Sequence, residues 1–217
     1  MKPLKYALVV LISLAVLWVT AGVAYYYYVE TQKSDIKKIL GITLTLNDVY
    51  GELPPEPSQE INNATVAGVD SNNNHIRDDV ERALREKYQH DEKLLAATLQ
   101  YAQALQIFIT LPKTGDEVAY ADGKTSRGMS CITVTMPRLT KEEGLLSLEE
   151  GNDEVKKKLE IISKNTDEVH TYVYNLVFNH EIRFAASRAK YRMNHGGSAS
   201  DHSKDNDCDI FNEHENQ

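Results

Sequence analysis

Between Tyr6 and Tyr28 the chain runs for 23 residues without a charged side chain. Wound as an α-helix at 1.5 Å per residue, that stretch is roughly 34 Å long, enough to cross about 30 Å of hydrocarbon. Trp18 and the run Tyr25, Tyr26, Tyr27, Tyr28 supply amphipathic rings of the kind that settle at the headgroup level. The competing expectation is a cleaved signal peptide. Lys2 and Lys5 would be its basic start, and Val19-Thr20-Ala21 or Gly22-Val23-Ala24 its small-residue cleavage site. A signal h-region usually runs about 7 to 15 residues, so the longer stretch here favours an uncleaved anchor. With no Cys in the segment, a lipoprotein anchor is excluded.

Orientation is balanced by charge alone, because Lys2 and Lys5 face Lys33, Lys37 and Lys38 across the segment. The signal-like order of basic start and apolar run favours a cytoplasmic N-terminus. The body would then sit in the periplasm or outside the cell, inner-membrane anchored, or secreted if the segment is cleaved. Only Cys131 and Cys208 occur, neither in a CxxC pair, and an even pair in an exported domain is expected to form one disulfide. Removing Lys2 and Lys5 from the count leaves 22 bases against 32 acids, a body of net charge −10. That balance disfavours nucleic acid, whose phosphates need clustered Lys and Arg.

The chain divides into an anchor at 1–29, a Pro-containing linker at 30–64, a helical domain at 65–194 and a polar tail at 195–217. Pro54, Pro55 and Pro57 bias the linker toward extended backbone, so it is expected to act as a semi-stiff strap. Beyond it the hydrophobic period is helical. Val80, Leu84 and Tyr88 share one face, and Leu95, Leu99, Ala102, Leu105 and Ile109 share another, ended by Pro112. The residues 113–127 lack a sustained period and are expected to form a loop with one turn near Val118. The β-branched run Cys131–Met136 suits helix or strand equally. A charged helix over 154–162 is expected to stop before a second, capped at Asn165 and Thr166, which runs through Val169, Val173 and Val177 to about Met193. The tail has little to bury and is expected to be tied down near Cys208 alone. The fold class that follows is mainly α: an N-terminal transmembrane helix and a small helical domain.

The twelve residues Asp70 to Glu81 place oxygen-bearing side chains at positions 1, 3, 5, 9 and 12 of a tight loop. This segment resembles the calcium loops of the EF-hand, dockerin and thrombospondin type 3 kinds, the last also carrying two acids after a hydrophobic residue, as in Ile76-Arg77-Asp78-Asp79. A hard divalent cation takes six to eight oxygens at about 2.3–2.6 Å, and alternate residues of a tight loop aim theirs inward. Asp70, Asn72 and Asn74 would give one oxygen each and Ile76 its carbonyl. Asp78 would bind directly or through water, and Glu81 would close the shell with both oxygens. His75 stands where glycine usually supplies positive φ, a conformation His tolerates better than most residues. Only three of these groups are acids, so affinity should fall near 10⁻⁴ to about 10⁻³ M, a weak structural site. The alternative is an Asn-rich turn in which Asx side chains bond the backbone while Asp78 and Asp79 serve a helix N-terminus. A Pro-rich strap before such a loop is also similar to proteins of the bacterial envelope, and no activity follows from that.

Other motifs carry less. Gly123-Lys124-Thr125 lacks the first glycine of a phosphate loop, since position 118 is Val. His180-Glu181 has Phe184 where a zinc-protease helix needs its second His. Arg183, Arg188, Lys190 and Arg192 form a basic stretch expected to be a solvated face. His195, His202 and His214 lie among acids in a polar tail where a preorganised metal site is not expected. Neither Ser198 nor Cys131 has a His and acid nearby in sequence. The expectation is therefore a membrane-anchored, calcium-binding envelope protein that works by binding, as a scaffold or immunity-type protein for a partner with a basic surface. The alternative is an envelope hydrolase with a structural calcium whose carboxylates, His170 or His180 meet in the fold.

Overall fold

A computed structural model describes residues 2–137, 153–194 and 207–210. The described residues contain eight helices and no strand: α1 (Lys2–Gly41), α2 (Leu46–Tyr50), α3 (Gln59–Asn63), α4 (Asp78–Tyr88), α5 (Glu92–Thr110), α6 (Gly115–Thr135), α7 (Asp153–Val177) and α8 (Glu181–Met193). Two units divide the chain, Met1–Lys38 and Ile39–Gln217.

The first unit is a single apolar helix. Within Val9–Gly41 an 18-residue stretch has mean hydropathy 2.0 and none of that stretch is buried, so by length and composition the helix can cross a membrane. Trp18 is 83% exposed and the four tyrosines are all exposed. The few hydroxyls turn inward to their own backbone: Ser13 donates to the Val10 carbonyl at 2.8 Å and Thr20 to Val16 at 3.0 Å. Such back-bonding hides the hydroxyl dipole, which is what an apolar surrounding requires. Four consecutive residues at about 100° each pass right round a helix, so the tyrosines form a collar at one level rather than a stripe.

In the second unit α5 is the central helix. Every residue from Leu95 to Ile109 is buried, so the one-faced stripe expected from Leu95 to Ile109 is only part of its contact. It packs most closely on α6 and also meets α2, α4, α7 and α8. A helix buried on all sides needs few polar residues, and those it has must be paired. Gln100, Gln103 and Gln106, three residues apart, meet that need with their amide nitrogens, donating to the carbonyls of Asp207 (2.8 Å), Asn74 (2.8 Å) and Ala67 (2.7 Å), while Gln106 Oε1 has no donor. One seam of amides thus fastens the 65–77 loop and the 207–210 segment to the core.

Three expectations are corrected. The expected 113–127 loop is helical from Gly115 and joins the segment after it, which takes the helical of its two expected forms, in one helix, α6. Its inward face is built of Val118, Ala121, Thr125, Gly128, Cys131 and Ile132, residues too small and mixed to give a strong hydrophobic period. Their smallness has a use. A Cβ on Gly128 would lie 2.8 Å from Tyr101 Cα, so the glycine lets α6 approach α5 backbone to backbone. Gly128→Ala should therefore cost about 1–3 kcal/mol of stability in a denaturant titration, whereas a neutral result would mean that the two helices separate freely.

The break expected at Asn165 and Thr166 is also absent, because the Thr166 hydroxyl donates to the Ile162 carbonyl at 2.9 Å and α7 continues through it. The helix stops instead at Val177. His180 then caps α8, accepting from the Ile182 amide at 3.4 Å.

Third, the strap is not separate from the body. Ile39, Leu44 and Val49 are buried in the core. Lys124 donates to the Ile42 carbonyl at 2.6 Å, Arg85 to Asp48 and Gly51 at 2.8 Å, and Arg82 to Pro54 at 2.7 Å. The end of α2 and the irregular backbone around it leave carbonyls unpaired, and cations on neighbouring helices take them up. The body therefore begins at Ile39 rather than at Thr65.

Cys131 and Cys208 are joined in a disulfide, as expected. His195, His202, His214 and Ser198 lie outside the described residues.

Candidate functional site

The loop from Asp70 to Glu81 leads into α4, whose first turn carries Asp78, Asp79 and Glu81. Asn73 and His75 both take left-handed backbone, with φ of 57° and 63°. The positive φ expected at His75 is thus present. Ile76 is fully buried and pins the loop to the core.

Much of the loop is closed by its own side chains. Asp70 accepts the amides of Asn74 (3.2 Å) and His75 (2.9 Å), and Asp78 accepts that of Ser71 (2.9 Å). The Asn74 side-chain oxygen accepts from the Ile76 amide at 2.8 Å. Asn72 and Asn74 each donate their side-chain amide to the same oxygen of Glu81, both at 3.1 Å. These are the bonds of an Asx turn. Among the described residues, no group of three or more His, Cys, Asp or Glu side chains gathers as a metal site.

The acids are nonetheless left with spare acceptors. Asp78 and Glu81 are both fully buried, and Asp78 Oδ2 and Glu81 Oε1 have no hydrogen-bond donor. Glu81 Oε1 is met only by an ion pair, with Arg85 Nη2 at 3.0 Å. Burial pushes the Asp70 carboxyl up, and the amides of His75 and Asn74 offset only part of that. Burial likewise pushes Glu81 up, against the opposing pull of Asn72 and Arg85. Buried carboxylates with unfilled lone pairs are costly unless a positive charge or donor completes them.

Beside the loop lies a polar network invisible in the motif. Arg77 is fully buried. Its guanidinium grips Asp79 through two bonds of 2.6 and 3.0 Å and donates to the last carbonyls of α7, Leu176 (2.9 Å) and Val177 (3.0 Å). Arg183 is also fully buried. It donates to Asn63 (2.9 Å), Asn179 (2.8 Å) and the Asn62 carbonyl. The solvated basic face expected of the α8 cations is thus wrong for Arg183. Burial, then the neighbouring Arg77, pushes the Arg183 guanidinium down to about 10. Burial of Asp79 is outweighed by Arg77, which holds that carboxyl below its ordinary value.

Gly68, at φ 70°, makes room for this network: a Cβ there would run into the Arg77 side chain and lie 2.6 Å from Asn62 Oδ1. The only sequence signal for the network was the Arg-Asp-Asp order itself. A signal for the loop's docking was available in the three glutamines spaced along an otherwise apolar helix.

The residues proposed for hydrolysis do not meet. His170 contacts the Met129 carbonyl at 3.1 Å and tilts against Tyr101, while His180 serves as a helix cap. Clefts formed by the described residues include one of ≈ 710 Å³ along α7 about Lys164 and Tyr172, one of ≈ 650 Å³ about Arg82 and Glu86, and one of ≈ 340 Å³ about Glu56, Asn62 and Asp79. Neither histidine lines any of these three. Comparison with known proteins finds no matching family model, no similar curated protein and no similar solved structure.

Proposed function

We propose that the chain is a membrane-anchored, exported binding protein whose helical body is steadied by a weakly held structural calcium at Asp70, Asn72, Asn74, Ile76, Asp78 and Glu81. The observation that carries the calcium reading is the unpartnered oxygen of Asp78, fully buried on the same loop as Glu81 and Asp70. A divalent cation supplies the positive charge that such a set lacks. Asn72 and Asn74 already reach Glu81, and turning an amide plane over exchanges its nitrogen for its oxygen. The same side chains could then face a cation, with Asn74 giving up its bond to the Ile76 amide. The alternative remains the ion-free Asx turn, favoured by the bonds that close the loop.

Export rests on the order of basic start and apolar helix and on the disulfide, which belongs to oxidising compartments. With 22 bases against 32 acids beyond the anchor, the body suits a protein partner with a basic surface, and binding rather than catalysis is the expected activity. The second reading, a hydrolase, finds its support only in the polar cleft about Glu56 and Asp79.

The calcium reading is tested by thermal unfolding. With about 10 mM Ca²⁺ and a Kd near 10⁻⁴ to 10⁻³ M, linkage gives about 1.4–2.7 kcal/mol. For a body of this size that is a rise of about 3–10 °C in Tm. Asp70→Ala should abolish the rise. An unchanged Tm in the wild-type protein would leave the loop as a turn.

A further inference from the structure

Arg85 stands apart from the ligand set, one helical turn beyond Glu81 on α4, with a side chain 14% exposed. Its guanidinium is shared three ways: Nη2 pairs with Glu81 Oε1 at 3.0 Å and donates to the Asp48 carbonyl at 2.8 Å, and Nη1 donates to the Gly51 carbonyl at 2.8 Å. The Glu81 oxygen it meets is one of the two that a bidentate ligand would turn to a cation. A fixed positive charge therefore occupies the approach to half of that carboxylate.

We propose that Arg85 is the built-in counter-ion of the loop: it neutralises Glu81 and so sets a low affinity for divalent cations. This rests on the calcium reading and deepens it, since it names the residue that tunes that site. The argument has two parts. A buried carboxylate cannot remain charged and unpaired, so with Asn72 and Asn74 on one oxygen, Arg85 serves the other. And a cation drawing both Glu81 oxygens must approach a guanidinium of like charge, whose position is fixed by the two carbonyls of the 48–51 segment. Repulsion at that range, in a partly buried site, is larger than in water. The same two carbonyls tie the segment at Asp48 and Gly51 to the charge state of the loop.

The test is calorimetric titration of the full chain in detergent with Ca²⁺, and separately with Tb³⁺. Arg85→Gln removes the charge and keeps a donor for the carbonyls; it should bind Ca²⁺ about tenfold more tightly than the wild type. The gain should be larger for Tb³⁺, because repulsion scales with the charge of the ion. Arg85→Lys keeps the charge and should bind within about twofold of the wild type. Circular dichroism without added ion establishes that each variant is folded. If Arg85→Gln binds no more tightly than the wild type, or if Arg85→Lys binds as tightly as Arg85→Gln, the guanidinium does not set the affinity and the proposal fails. A wild-type chain that takes up neither ion is a different result, since it removes the calcium reading itself.

Discussion

Breaking the Cys131–Cys208 bond should lower the stability of the body by about 4 kcal/mol, from the chain entropy of the loop it closes. The two cysteines are 77 residues apart in sequence. For a body of this size such a loss corresponds to a fall of about 8–16 °C in Tm. The expectation has a second component, because the bond secures more than a chain end. Asp207 offers its carbonyl to Gln100 and Arg127, and the Asp209 amide donates back to Gln100 at 2.7 Å. The Asp209 carboxylate, nearly buried, pairs with Arg127 and accepts the Leu44 amide at 2.9 Å. Losing the segment would take the Asp207 and Asp209 contacts from the Arg127 guanidinium and the carboxylate acceptor from the Leu44 N–H at the start of the body. Cys208→Ser is the cleaner variant, since Cys131 lies inside α6 at 2% exposure. Thermal melts with and without a dithiol reductant, alongside a thiol count, give the measurement. Two free thiols and an unchanged Tm would mean that the segment is held by its polar bonds alone.

What could be read from the sequence divides along a physical line. Features carried by local chemistry were legible. The apolar run of α1, the periods of α4 and α5, and the left-handed backbone at His75 each follow from a residue and its near neighbours. Features that exist only through packing were not. The face of α6 is small residues, whose value appears only when Gly128 meets Tyr101. The prolines around Pro54 suggested a strap, yet their extended backbone is the surface that Arg82 and Arg85 hold. Thr166 looked like a cap and spends its hydroxyl on Ile162 instead. The oxygen-bearing spacing of the loop was legible, while its docking was not, since Gln103 from another helix takes the Asn74 carbonyl. Charge also misled: Arg77 and Arg183, polar by composition, are among the most buried side chains of the body.

That burial sets up the other large effect. Arg77→Met should cost about 3–5 kcal/mol, because it removes a fully buried guanidinium that supplies donors to several acceptors at once and the charge partner of the part-buried Asp79. Four groups lose the Arg77 donor together: the Asp79 carboxylate, the Asn179 side-chain oxygen and the terminal carbonyls of α7 at Leu176 and Val177. Those carbonyls form the negative end of the α7 dipole, so the guanidinium also acts as a helix cap for a 25-residue helix. Asp79→Asn should cost less, about 1–2 kcal/mol, since Asp79 is 27% exposed and the arginine keeps its carbonyl partners. Acid titration separates the charge contribution from packing. With its pKa below the unfolded value, Asp79 contributes stability that is complete above roughly pH 4 and is lost as pH falls through the lower folded pKa. That part of the acid-side loss should vanish in Asp79→Asn and shrink in Arg77→Met. Urea melts of both variants at neutral pH and near pH 3 supply the comparison. If Arg77→Met costs under about 1 kcal/mol, or keeps the full acid-side slope, Arg183 has taken over Asp79 and the two guanidiniums are interchangeable.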